Sequence, residues 1–182
     1  MLALILRYGI IAGLIVTLPM DWSMLRMKPG DPEPGLLVGY LTMLIGMTAV
    51  FFGIKHYRDK VLAGVISFKN AFIVGLGISA VAGLIYAIGW EISLNFMSFD
   101  FTDTYAKAMV ESARERGATG AALDKAMADA QSFVTMYRNP LLRFPLTFIE
   151  LFPVGILVSL VSAALLRNPQ LFAAKRGPAG SA

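Results

Sequence analysis

Two unbroken runs of uncharged residues constrain the fold of this chain more than any other feature. They extend from Gly35 to Ile54 and from Asn70 to Trp90, and each is long enough to cross about 30 Å of hydrocarbon at about 1.5 Å per residue. Two further apolar stretches lie nearer the ends of the chain. Apolar residues make up 57% of the sequence, far above an ordinary soluble domain. The sequence therefore predicts an all-α membrane protein with four transmembrane helices in a compact bundle.

The four spans are expected to form a single domain, residues 1–167. Residues 168–182 are expected to form a loose cytoplasmic tail, because they contain too little apolar surface to fold. The predicted spans are residues 8–25, 35–54, 70–96 and 144–166.

The segment between the third and fourth spans, about 98–141, has the pattern of an extracytoplasmic helical hairpin. Gly117 separates two stretches whose apolar residues recur at helical spacing. Thr119 is expected to cap the second helix, and Asn139-Pro140 to end it. We interpret the hairpin as a structural lid. The alternatives are a docking surface for a partner and a cover over a pocket.

The basic residues are distributed unequally between the two sides of the predicted bundle. The N-terminus, the second connection and the tail carry a net positive charge, whereas the first connection and the hairpin are neutral. By the positive-inside bias, both termini face the cytoplasm. The second connection is either an ordinary topological anchor or a contact for lipid headgroups or a cytoplasmic partner. Its basic residues are Lys55, Arg58, Lys60 and Lys69.

Aromatic residues cluster at the predicted ends of the spans. Trp22, Trp90, Phe96 and Phe101 lie at the outer ends, and a second group lies at the inner ends. Amphipathic rings at both interfaces form the usual aromatic belt of membrane proteins. We therefore interpret these side chains as interfacial anchors rather than as a ligand cage.

Small residues recur at four-residue spacing in the spans. This spacing places them on one face of each helix, where missing side chains let helix backbones approach closely. The pattern does not distinguish packing within one chain from packing in a homodimer or against a membrane-protein partner. The helix-packing residues predicted in this way are Gly9, Gly13, Gly35, Gly39, Gly75, Ser79, Gly83, Gly155 and Ser159.

Three of the spans contain one carboxylate each, namely Asp21, Glu91 and Glu150. Such groups usually face the protein interior, find partners or protonate, because a charged carboxylate in hydrocarbon is costly. One hypothesis is an outward-facing pocket that binds protons, a cation or a cationic substrate. The alternative is separate interfacial placement, in which Asp21 pairs with a basic residue of the first connection, Glu150 pairs with Arg143, and Glu91 reaches headgroup water.

Short motifs along the chain resemble those of a known family. They are Tyr8-Gly9 with Gly13, Gly53–Asp59, Ile66–Phe68, Gly75, and Phe152–Gly155 continuing to Ala164. In these motifs the chain is similar to the bacterial four-span inner-membrane family catalogued as domain of unknown function four-one-nine-nine. The resemblance implies a bacterial inner (plasma) membrane protein with four helices and a helical segment between the third and fourth. It implies no reaction and no catalytic residue.

The composition also limits the classes of function. There is no cysteine and a single histidine, His56, so thiolate chemistry and a histidine-rich metal site are excluded. No phosphate-binding loop, nucleophile elbow or zinc motif is present. The basic residues set topology, which argues against nucleic-acid binding. We predict a protein that is not an enzyme and has no cofactor, with the lipid bilayer as its main partner.

Two functions then remain. The first is a non-catalytic accessory or structural subunit of a membrane assembly, which holds a partner through its small-residue faces or its hairpin. The second is a small proton- or cation-linked transporter or sensor that uses the three carboxylates.

Overall fold

The computed structural model describes residues 1–26 and 36–172. Within these residues all regular structure is helical, and four of the helices are long and apolar enough to cross a membrane. The predicted all-α membrane fold is therefore confirmed. Gly35 and the tail from residue 173 onwards lie outside the described residues. The helices are α1 (Leu2–Arg26), α2 (Leu36–His56), α3 (Phe68–Phe96), α4 (Phe101–Glu115), α5 (Ala121–Tyr137) and α6 (Pro140–Leu166).

The four long helices pack as a bundle. Helix α3 packs against both α1 and α6, and α2 closes the bundle by packing against the same two helices. Met47, Ile54 and Ile78 are among the fully buried core residues. The outer surface is also apolar, with exposed side chains such as Ile45 and Leu157. An apolar exterior around a packed core indicates a lipid environment.

Some helix boundaries differ from the prediction. Helix α1 begins six residues earlier than expected, and α6 begins at Pro140 rather than near residue 144. The Asn139 side chain accepts a hydrogen bond from the backbone N–H of Leu141 at 3.0 Å, and proline suits the first turn because its missing N–H would have no partner there. Asn139-Pro140 therefore begins α6. Thr119 does not cap α5, which is preceded by Gly120 instead.

The small residues of α1, α3 and α6 pack inside the chain. A Cβ atom at Gly9 would lie 2.5 Å from the Cβ of Val81, and one at Gly155 would lie 2.6 Å from the Cβ of Ser79. Ser79 also faces Ser159, with 3.3 Å between the hydroxyl oxygens. Gly13, Gly75 and Gly83 meet neighbouring helices in the same way. These faces are therefore occupied by helices of the same chain.

Gly39 does not share this role. A Cβ atom there would have no other atom of the described residues within 4 Å, so Gly39 does not pack against another helix of the same chain, and its predicted packing in a homodimer or against a partner stays a prediction. The first turns of α2 therefore leave open space at this position. Sequence spacing alone does not reveal such a gap, because it shows only which residues share a face.

Arg58 joins α2 to the segment that follows α6. Helix α2 continues beyond His56 as a π-helical turn, Tyr57–Val61, and the Arg58 side chain in this turn is fully buried. Its guanidinium donates to the backbone oxygens of Leu171 and Phe172 at 2.8 Å each. It also makes longer bonds to the oxygens of Leu166 and Asn168.

This arrangement changes two predictions. Arg58 cannot contact lipid or a partner, because its donors are used inside the protein, and Lys55 forms an ion pair with Asp59 at 2.6 Å. Lys60 and Lys69 are exposed, so both remain available for the predicted contact with lipid headgroups or a partner. The tail begins as an ordered turn, since residues 168–172 contribute the carbonyl groups that Arg58 binds.

Candidate ligand cleft at the α4–α5 end of the bundle

Glu91 is neutralised by an arginine from another helix. Arg143 Nε donates to Glu91 Oε1 at 2.7 Å, and Arg143 Nη2 donates to Glu91 Oε2. Arg143 Nη1 also donates to the backbone oxygen of Tyr137 at 2.9 Å. The expected pairing of Glu150 with Arg143 is therefore wrong. These two residues lie on the same helix about 10 Å apart along its axis, given about 1.5 Å per residue.

Asp21 lies against α3. A Cβ atom at Gly89 on α3 would lie 3.2 Å from Asp21 Oδ2. The missing side chain of Gly89 therefore gives Asp21 room beside the α3 backbone. Among the described residues, the three carboxylates do not form a group of the kind that holds a metal ion.

Glu150 is the carboxylate that faces open space. A cavity of about 310 Å³ lies at the end of the bundle to which α4 and α5 are attached, the α4–α5 end, and Met43, Tyr86 and Glu150 contribute to its wall. A second cavity of about 250 Å³ lies beneath α4 and α5. Both cavities are lined by Met20, Met24, Tyr86 and Glu150. The two cavities therefore adjoin at these residues, and we call them together the cleft.

Tyr86 is the polar group next to Glu150. Its hydroxyl lies 3.5 Å from Glu150 Oε2, at the limit of a hydrogen bond, while its ring is buried in the core. Glu150 itself is exposed, and it forms no ion pair with a basic side chain of the described residues. Tyr86 was not predicted from the sequence, although its four-residue spacing from Trp90 places both rings on one helix face.

Two of the aromatic residues interpreted as interfacial anchors line the cleft instead. Trp90 is only 4% exposed, and its indole N–H donates to the hydroxyl of Tyr137 at 2.7 Å. The ring of Phe101 packs perpendicular to Trp90, with centroids 5.1 Å apart. Trp22 and Phe96 are exposed as anchors would be. The anchor interpretation is therefore wrong for Trp90 and Phe101, because α4 and α5 fold over these rings.

Tyr137 is held neutral in this setting. Burial raises its pKa to about 12, although the hydrogen bond from Trp90 favours the ionised form. At physiological pH the hydroxyl therefore keeps its proton, which is free to donate while its oxygen accepts from Trp90. The wall of the cleft at this point is an uncharged aromatic surface.

Comparison with known proteins gives a family without an assigned activity. The family model described as "Protein of unknown function (DUF4199)" matches residues 7–168, a range that includes α2 to α6 and most of α1. No curated protein and no solved structure matches the chain significantly. These comparisons therefore identify no ligand or reaction for the cleft.

Proposed function

The chain belongs to the DUF4199 family of proteins of unknown function, and we propose that it is a small cation- or proton-linked membrane protein, a transporter or a sensor, whose site is the cleft. The observation that carries this proposal is the position of Glu150. It lies on a membrane-spanning helix, lines the cleft and has no basic partner among the described residues. A carboxylate in a membrane segment needs compensation, which a bound cation or a proton supplies.

The site is proposed to be non-catalytic. The only histidine, His56, lies at the other end of the bundle, where its Nδ1 is 3.2 Å from the hydroxyl of Tyr8. The polar groups on the cleft wall include the Glu150 carboxylate and the hydroxyls of Tyr86 and Tyr137. These groups suit the binding of a cation better than the activation of a nucleophile.

The second candidate, an accessory subunit of a membrane assembly, now depends on α4 and α5 or on the face of α2 that carries Gly39. The small-residue faces of α1, α3 and α6 are occupied inside the chain, whereas α4 and α5 pack mainly on each other and have exposed polar sides. Purification in a gentle detergent separates the two proposals. A stoichiometric second protein favours the accessory role, and a lone monomer or dimer favours the cleft.

We also propose that the protein lies in a bacterial inner membrane with both termini in the cytoplasm. The exposed Lys60 and Lys69 lie on the same side as the termini and support this orientation through the positive-inside bias. The natural chain has no cysteine, so single cysteines report topology directly. In intact cells, a membrane-impermeant thiol reagent should label Ser112→Cys and leave Lys60→Cys unlabelled. The opposite labelling pattern would show that the protein has the inverted orientation.

Cation binding at Glu150 predicts stabilisation that depends on this carboxylate. The unfolding midpoint in detergent should rise with an added cation at constant ionic strength, or shift with pH if the ligand is a proton. A ligand at one hundred times its Kd stabilises by about 2.7 kcal/mol. A screen of sodium, potassium, ammonium and tetramethylammonium identifies which cation raises the unfolding midpoint. Glu150→Gln should abolish this response because the variant lacks the carboxylate that binds the cation or the proton.

Asp21→Asn is the matched control, since it also neutralises a carboxylate in a span but does not change the wall of the cleft. This variant should keep most of the response. An unchanged response in Glu150→Gln, or no response of the natural protein to any cation or to pH, would overturn the proposal. Flux measurements in liposomes then distinguish a transporter from a sensor.

A further inference from the structure

Aromatic rings line the part of the cleft beneath α4 and α5. They come from three helices, and together with Glu150 they line a half-open cavity of about 250 Å³. This volume is just below the usual range for drug-sized ligands, about 300–1,000 Å³. We call this group of rings the aromatic cage. Its members are Tyr86, Trp90, Phe101, Tyr105, Phe133 and Tyr137.

The cage is held in place by ring-to-ring packing. The centroids of Tyr105 and Phe133 lie 5.0 Å apart, and those of Phe133 and Tyr137 lie 4.7 Å apart. Phe101 contacts both Trp90 and Tyr137, and the Trp90–Tyr137 hydrogen bond joins α3 to α5. The rings are therefore positioned before any ligand enters, which lowers the entropic cost of binding.

The chemistry of the cage selects a particular kind of cation. The face of an aromatic ring is electronegative and attracts cations, and sets of such rings recognise quaternary ammonium groups. A hard metal ion needs six or more oxygen ligands, which this aromatic wall does not provide. Glu150 contributes a carboxylate to the wall of the same cavity. A cation with an apolar surface satisfies both the rings and the carboxylate.

We propose that the aromatic cage binds an alkylated ammonium group, with the methylated nitrogen against the rings and Glu150 as its counter-ion. The inference rests on the proposed function and specifies its ligand class. A free quaternary amine and the headgroup of a choline lipid present the same chemistry to the cage.

Trp90 provides a direct reporter of binding. The chain has two tryptophans, and the exposed Trp22 lies outside the cage, with the Arg26 guanidinium 4.1 Å from its ring centroid. In a Trp22→Phe background, Trp90 emission therefore reports the cage alone. The protein should be placed in nanodiscs of phosphatidylglycerol, which contain no choline headgroup, and titrated with choline. We expect a saturable change in emission.

The neutral isostere 3,3-dimethylbutan-1-ol tests the role of charge, because it has the shape of choline without the positive nitrogen. Cation–π attraction at a desolvated site is worth about 2 kcal/mol, so the isostere should bind at least about tenfold more weakly. Equal affinity for the two compounds, or no saturable response to choline, would overturn the proposal. If sodium or protons still act through Glu150 in that case, the proposed function stands and only the ligand class is wrong.

Two variants test whether the rings of the aromatic cage bind choline. Phe133→Leu removes one of the rings that line the cavity while keeping an apolar side chain, and should weaken choline binding about tenfold. Phe52→Leu is the matched control, because Phe52 is exposed on α2, outside the cage, and should leave affinity unchanged. Circular dichroism verifies that both variants fold. Equal choline affinity in the two variants would contradict the cage.

Nanodiscs containing phosphatidylcholine distinguish the two sources of the ligand. If the choline lipid competes with free choline, the natural ligand class includes lipid headgroups. If free choline binds equally well in both kinds of disc, the site selects a soluble amine. Either result supports an ammonium-binding cage.

Discussion

Replacing Arg58 with alanine is expected to lower the free energy of unfolding by about 3–5 kcal/mol, the usual cost of breaking a buried charged network. The guanidinium is fully buried and bonds Asp59 Oδ1 through Nε at 2.7 Å. Its remaining donors bind carbonyl groups at and beyond the end of α6. Without them, these carbonyls lose their donors and the segment after α6 is released. Unfolding in increasing sodium dodecyl sulfate, followed by circular dichroism, measures the loss.

Lys60→Ala is the matched control for this prediction. Lys60 lies two residues from Arg58 but is exposed, so its loss should change stability by less than about 0.5 kcal/mol. Arg58→Lys should be intermediate, because an ammonium group is a point charge and cannot reproduce the planar fork of donors. Limited proteolysis after residue 167 should become faster in Arg58→Ala alone. Equal stabilities of Arg58→Ala and Lys60→Ala would refute the internal role of Arg58.

Gly155→Leu is expected to destabilise the bundle by about 3 kcal/mol, at the upper end of the usual cost of overpacking. Even a Cβ atom at this position would lie 2.6 Å from the Cβ of Ser79 and 2.7 Å from the Cε of Met47. The larger side chain must therefore separate α6 from α3, two helices that are in extensive contact. The same detergent unfolding measurement should show a lower midpoint.

Gly39→Leu provides the comparison, since it makes the same substitution in another span where no atom would lie within 4 Å of the new Cβ. Its stability should stay within about 0.5 kcal/mol of the natural protein. If the two variants were equally stable, the α3–α6 contact would not depend on Gly155. If Gly39→Leu were the less stable variant, the first turns of α2 would have to pack against a neighbour, contrary to the structure.

The spans could be predicted from the sequence because their signal is local. An uncharged run such as Asn70–Trp90 must satisfy its backbone polar groups within itself when it lies in lipid, and only a helix does so. The helix boundaries were less predictable from the sequence. Asn139-Pro140 serves equally as an ending and as a beginning of a helix, and the choice depends on Arg143 reaching Glu91 from the first turn of α6.

The candidate site was predicted only in part. Glu150 was identified because a carboxylate in an apolar span is conspicuous, but its neighbours were not. Glu91 and Glu150 look alike in the sequence, yet Glu91 is paired with Arg143 and Glu150 lines the cleft. Trp90 was assigned to the membrane interface because nothing in its own span shows that Phe101 and Tyr137 cover it.

The sequence by itself determined that this is a four-span helical membrane protein of the DUF4199 family, since hydrophobic run length and short motifs are properties of consecutive residues. Only the tertiary structure decided which glycines pack inside the chain, which carboxylate is paired, and that Arg58 is buried. These outcomes depend on contacts between residues far apart in the chain. The helix pattern specifies which residues share a face, but the neighbour that the face meets is decided by how the helices pack together.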